Sequence, residues 1–452
     1  MLKKNEIDML NGPLFGKIMR FAIPLILTNI LQLLFNAADV AVAGRFAGSN
    51  CLAAVGATTS LVFLVVNILI GISVGVNVVV ARCYGTGQKT EKLSNAVHTA
   101  IFVAIIGGAI FAVLGFSVSG LLLRLIAVPA DILPLSRLYM RIYFLGLPFN
   151  MLYNYGTAIL RARGDTTRPL VYLTISGTTN VILNLIFVIV FKMDVAGVAL
   201  ATDISNCLSA FLILRFLVRS DDELHVDLRK IRPDKEAFIA MTRIGVPAGV
   251  QNSLFSIANA VIQSAINAYG PIIMAGSSAA VSICQFVYVS MNSFSQAGQT
   301  FTSQNIAAGK QERISGIVRT CLLCNTIVGG ALCLFEFVFC RQLLTLYNTS
   351  PEVIAAGMQR IRLFVVTYLI YGYADVFVGV IRGHGISLQT VIINLIATCV
   401  LRIVYIGFLD VPAVSPVMVY AAYPISWAVF MLAVAAYWLH VKRTFDYQNI
   451  RR

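Results

Sequence analysis

Residues 23–48 read IPLILTNILQLLFNAADVAVAGRFAG. An apolar run of this length suits a helix crossing a bilayer core, which takes roughly 20 residues. Within it Asn29, Gln32, Asn36 and Asp39 follow at steps of three, four and three, so all four share one helical face. The run returns later in the chain. Pro24, Asn29 and Asn36 have counterparts in Pro247, Asn252 and Asn259, all at an offset of 223. Gly87 recurs as Gly309 at an offset of 222, and Arg161 and Gly164 recur as Arg382 and Gly385 at 221. Nearly one offset at three separate places identifies an internal duplication.

Composition places the duplicated unit in a membrane. Of 452 residues, 58% are hydrophobic and 12% charged, about half the charge a soluble domain of this size carries. A soluble enzyme is excluded. Twelve spans are expected, at 18–42, 53–80, 95–126, 137–160, 169–191, 195–218, 242–268, 274–303, 314–345, 357–381, 387–409 and 415–440. The predicted fold is therefore all-α and integral to the membrane, with twelve transmembrane helices in two pseudo-symmetric six-helix bundles. The expected boundaries are an amino-terminal lobe 1–218, a linker 219–240 and a carboxy-terminal lobe 241–452. The linker, with SDDELHVDLRKIRPDK at 220–235, reads as a solvated loop.

The net charge of +14 does not indicate nucleic acid, because its placement follows the positive-inside rule. The termini and the loops after spans 2, 4, 6, 8 and 10 hold 21 of the 34 Lys and Arg, among them Arg82, Lys89, Lys92, Arg168, Lys310 and Arg313. The 269–273 and 410–414 connections carry none. Both termini are thus expected in the cytoplasm, in a cell membrane, without a cleavable leader before the first span. The nine cysteines fall mostly inside apolar runs and are expected to be reduced, and Cys321 and Cys324 lack partner ligands for a metal.

Polar residues inside spans are functional candidates by default. The amino-terminal half offers two carboxylates, Asp39 and Asp203, among Asn180, Asn184 and Thr202, a set suited to a hard cation or an exchangeable proton. The other half has no acid in its first span. It places Asn252, Asn259, Gln285, Tyr288, Tyr371 and Asp375 in its helices, with Glu336 in the span at 314–345. Amides and tyrosines around an acid suit a flat, partly cationic molecule. Only Arg402 stands out as a cation within a span. Three roles are open to it: pairing with Asp375 or Glu336, snorkelling to the surface, or receiving an anionic group. No GxxxxGK[ST] occurs, since GTGQKT at 85–90 has the wrong spacing. Active transport would therefore draw on an ion gradient.

The segment 23–48 with Pro24 and Asp39 resembles the first span of MATE transporters, the multidrug and toxic compound extrusion family. LRARGDTTRP at 160–169 is similar to that family's loop between helices 4 and 5, NVILNLIFV at 180–188 to its NxxxDPxF stretch, and GVALATDISN at 197–206 to its helix 6. The resemblance covers essentially the whole chain. It implies two six-helix lobes in a V and export of organic cations and drugs in exchange for H⁺ or Na⁺, with no other cofactor. It also implies a cation site on Asp39, Asn180, position 184 and Thr202. Position 184 is Asn rather than the family's Asp, and Asp203 is the candidate to restore that charge. An acid eight residues after the helix 7 proline, found in another branch, is Phe255 here.

The expected protein is a cation-coupled antiporter acting as a monomer in the lipid bilayer on small amphipathic cations. Asn29, Gln32 and Asn36 would line its cavity and Pro24 would serve as a hinge. A flippase for lipid-linked oligosaccharides and an exporter of one metabolite are the related alternatives. The former calls for a more cationic cavity than Arg402 alone provides.

Overall fold

A backbone in hydrocarbon has no water to bond, so it satisfies its own N–H and C=O groups by forming helices. The computed structural model describes residues 6–86, 91–126, 128–222, 224–411 and 413–445, and among these there is no strand. Gly87 and Lys89 lie outside the described residues. The first half forms α1 (Leu14–Phe46), α2 (Ser49–Gly85), α3 (Glu91–Leu125), α4 (Leu133–Leu145), α5 (Leu147–Arg163), α6 (Thr167–Leu185) and α7 (Asp194–Arg219). The second forms α8 (Lys235–Asn267), α9 (Pro271–Ala307), α10 (Glu312–Val338), α11 (Cys340–Thr345), α12 (Pro351–Gly383), α13 (Leu388–Asn394), α14 (Leu401–Gly407) and α15 (Pro416–Thr444).

All twelve expected spans are helical. Among the described residues, ten helices are long and apolar enough by themselves to cross a membrane. The remaining spans are the broken pair α4 and α5, separated at Gly146, and the more polar α8. α8 begins at Lys235, inside the expected linker. Two spans carry π-helical turns, Ile186–Val190 after α6 and Leu395–Val400 between α13 and α14. The nine cysteines are free thiols.

The duplication is visible in backbone geometry. Gly164 and Gly385 adopt φ of 96° and 78°, a left-handed conformation that only glycine takes readily, and both follow a helix ending in an arginine-bearing turn. Gly48 and Gly270, with φ of 89° and 87°, stand in the same relation before α2 and α9.

The chain forms two compact units, Met1–Ile7 with Leu27–Val246, and Asp8–Ile26 with Pro247–Arg452. The division falls inside α1 and α8, close to their equivalent prolines Pro24 and Pro247. In the first unit, Asp234 N–H donates to Thr99 Oγ1 at 2.9 Å and Asp227 N–H to His98 Nε2 at 3.0 Å, fastening the linker to α3. Arg163 pairs with both Glu6 and Asp222. The α2 and α8 backbones meet at glycines: a Cβ on Gly245 would lie 2.5 Å from the Ile72 carbonyl oxygen. Such small residues allow close approach where lipid offers no hydrophobic drive between helices. In the second unit, Lys310 donates to Leu10 O at 3.0 Å, Asn305 to Met9 O at 3.1 Å and Arg313 to Gly12 O at 3.0 Å. Phe21 meets Phe301 edge-on at 5.7 Å.

Gly245→Leu is expected to destabilise the protein by about 1–3 kcal/mol through overpacking, read as a lower melting temperature in detergent. Gly56→Leu, at a position where a Cβ meets nothing within 4 Å, should leave it unchanged.

Candidate functional site

The first unit builds its polar centre by letting α1 approach α6. A Cβ on Gly177 would collide with the Phe35 ring, so glycine is what permits the contact. One turn beyond Phe35 stands Asp39, and one and two turns beyond Gly177 stand Asn180 and Asn184. Asn184 Nδ2 donates to Asp39 Oδ1 at 2.5 Å and reaches Asn180 Oδ1 at 3.4 Å. Thr202 of α7 donates to Asp39 Oδ2 at 3.5 Å and to Val198 O at 3.0 Å. Asn180 Nδ2 lies 3.4 Å from Thr202 Oγ1. Three of the residues singled out from sequence, Asn180, Asn184 and Thr202, thus gather around the carboxylate of a fourth, Asp39. The oxygen of the Asn184 amide, Oδ1, is buried without a hydrogen-bond partner among the described residues. The π turn that begins at Ile186 follows directly, and such turns recur at functional sites.

Asp203 is placed apart from this cluster. It follows Thr202 on α7, and one residue turns the side chain by about 100°. Its carboxylate occupies the space that a Cβ on Gly146 would need, in the break between α4 and α5. Its Oδ1 is buried without a partner among the described residues. Tyr139 and Tyr143, stacked at 6.2 Å, lie within electrostatic reach of both Asp39 and Asp203. Neither tyrosine stood out in the sequence; their i, i+4 spacing in a span was the available signal.

Along α1, Pro24, Asn29 and Gln32 are half-buried and Asn36 is exposed. In the second unit Asn252 and Gln285 are half-buried, and Asn259, Tyr288, Tyr371 and Asp375 form a connected group with others. Asn292 donates to Asp375 Oδ2 at 2.8 Å, and Ser295 Oγ to the Asp375 carbonyl at 2.7 Å. Tyr288 and Tyr371 rings lie 5.6 Å apart, and Tyr371 lies 5.6 Å from Trp427.

Arg402 neither snorkels nor pairs with Asp375 or Glu336. It is fully buried, donating from Nε to Ser426 Oγ at 2.8 Å and from Nη1 to Asn259 Oδ1 at 3.0 Å. It is not the only cation inside a span: Arg360 on α12 is 2% exposed and donates to Ser277. Sequence reasoning passed over Arg360 because it sits near a predicted span end, where long cationic side chains ordinarily reach water. Glu336 is buried as well, with Oε2 unpartnered among the described residues.

Among the described residues no three His, Cys, Asp or Glu side chains are placed to hold a metal ion. The chemistry open to the first unit is that of one carboxylate ringed by amide and hydroxyl groups, able to exchange a proton or a small hard cation. Asn184→Ala, which strips Asp39 of its closest donor, is expected to destabilise the protein by about 1–3 kcal/mol. Thr202→Ala, losing a 3.5 Å contact, should do less. Thermal unfolding of both variants in detergent checks the order.

The MatE family profile matches residues 24–186 and again 247–406, beginning each time at the equivalent proline. The chain is 28% identical over 429 residues to the probable multidrug resistance protein YoeA of Bacillus subtilis (strain 168), covering 93% of this chain and 92% of that protein. It is 20% identical over 374 residues to the multidrug export protein MepA of Staphylococcus aureus (strain MSSA476), covering 83% and 82%. Its fold matches a crystal structure of MATE in the bent conformation with a TM-score of 0.90 at 21% identity, over 98% of each chain. The chain belongs to the MatE family of membrane transporters.

Proposed function

We propose that this transporter exports amphipathic organic cations, drugs among them, from the cytoplasm in exchange for H⁺ or Na⁺, as a single chain with both termini in the cytoplasm. The carrying observation is the convergence of Asn180, Asn184 and Thr202 on Asp39 within an apolar helix bundle. The names of the relatives, a probable multidrug resistance protein and a multidrug export protein, support the direction of transport and the cargo.

Asp39 is the exchanging group. Ionised, it accepts hydrogen bonds from Asn184 and Thr202. Protonation removes its charge and weakens both bonds, which are charge-assisted only while the carboxylate is ionised. For Na⁺, a half-turn of the Asn184 amide brings Oδ1 where Nδ2 stands, converting a donor to the carboxylate into an oxygen ligand for the cation. Asp203, within electrostatic reach of Tyr139 and Tyr143, is a second carboxylate inside the helices of the unit and supplies the charge that Asn184 lacks. Only an ion whose affinity differs between transport states couples the two fluxes. Pro24 has no N–H to give the α1 ladder and marks where that helix bends most easily.

In liposomes loaded with ethidium, one imposed gradient, of protons or of sodium, should drive movement by the wild-type protein. Asp39→Asn should fold and lose that movement; transport at the wild-type level would refute the assignment. Asp203→Asn should also uncouple transport, and unchanged flux would remove Asp203 from the exchange.

A further inference from the structure

The second unit holds a cation whose hydrogen-bonding capacity is not filled. Arg402 is fully buried, and its Nη2 is buried without a hydrogen-bond partner among the described residues. Tyr423, Phe255 and Trp427 lie 4.4, 5.5 and 6.0 Å from its guanidinium carbon. Rings satisfy the face of a guanidinium, whereas its N–H groups point outward in the plane and need acceptors. Ser426 and Asn259 accept from two of the nitrogens and nothing described accepts from the third. No acid neutralises Arg402 either: it forms no ion pair with a described residue. Arg360, also buried, bears on the same Tyr423 ring from 5.5 Å. An uncompensated guanidinium in a membrane interior is expensive, and its planar fork matches a carboxylate.

The surroundings say what the carboxylate would be attached to. Tyr371 stands within electrostatic reach of both Asp375 and Arg402. Its ring lies 5.6 Å from Tyr288, 5.6 Å from Trp427 and 6.4 Å from Phe255. An aromatic surface thus runs from a carboxylate to a guanidinium. Phe255 and Asn259, both on α8, are half-buried, while Tyr423 and Trp427 behind them are buried. Arg402 therefore lies one side chain behind the accessible face of α8, and a turn of Asn259 uncovers it.

We propose that Arg402 receives the carboxylate of an aromatic substrate, so that the second unit selects compounds with an acidic group at one end of a flat ring system and a cationic group, facing Asp375, at the other. This rests on the export reading for the cargo's route and adds an acidic group to the class of cargo. Ser426 is the positioning residue that holds the guanidinium, and Asn259 is the side chain that yields its place to the carboxylate.

The test is equilibrium binding of a fluorescent rhodamine free acid and of its methyl ester to the purified protein in detergent. Wild-type protein should bind the acid about tenfold or more tightly than the ester, the range expected for a charge-assisted hydrogen bond. Arg402→Gln should abolish that preference while leaving ester affinity unchanged, and Arg402→Lys should keep part of it. Equal wild-type affinity for acid and ester overturns the proposal, as does an Arg402→Gln variant that weakens both alike, which would mark a packing role. Should Arg402→Gln fail to fold, the wild-type ratio and Arg402→Lys decide. Binding needs no gradient, so failure of ethidium transport would count against the export reading and leave this one standing.

Discussion

Every departure from a regular helix inside a bilayer leaves backbone groups that must be satisfied locally, and this chain departs in few places. They include the break at Gly146, the π turns at Ile186–Val190 and Leu395–Val400, the interruption at Phe339, and the prolines Pro24, Pro247 and Pro424 within α1, α8 and α15. Three of them lie beside a polar group. Gly146 faces Asp203, the first π turn follows Asn184, and the second precedes Arg402 by two residues. Irregular backbone is tolerated at membrane depth only where protein or a cavity meets it. Those three positions therefore accommodate both irregular backbone and intramembrane polar groups.

Duplication explains the scaffold and substitution explains the chemistry. Glycines at left-handed φ recur between the halves, as do the prolines at which both family matches begin. What the repeats hold has diverged. The first unit gathers amides and a hydroxyl around a carboxylate, whereas the second buries two arginines among tyrosines and a tryptophan. Backbone constraints at turns and close contacts admit little but glycine or proline, while an interior position accepts any side chain that finds partners.

That contrast also sets what was legible in the sequence. Spans follow from apolar run length, and the convergence on Asp39 followed from residues three and four apart on shared faces together with the resemblance. Asp203 shows the limit. Adjacent to Thr202 in sequence, it is a third of a turn away in space, and no periodicity tells which neighbouring helix it meets. The buried state of Arg360 was hidden because an arginine near a span end has two solutions, water or a polar pocket, and the partner Ser277 comes from another helix. The segment exchange in α1 and α8 was equally hidden: both halves of each helix are apolar, and which unit each joins depends on tertiary contacts such as Phe21 with Phe301.

The exchange bears on coupling. α1 is one continuous helix, yet residues up to Ile26 belong to one compact unit and those from Leu27, Asp39 included, to the other. Its first part is held through Phe21 to Phe301 of α9, and its last part through Asp39 to Asn184 and Thr202. A change in the charge of Asp39 alters the hold on the second part alone. The helix then has to accommodate the difference along its length, and Pro24, which supplies no N–H to the ladder, offers the least resistance. If Asp39 exchanges an ion as proposed, α1 gives that event a covalent route to the second unit.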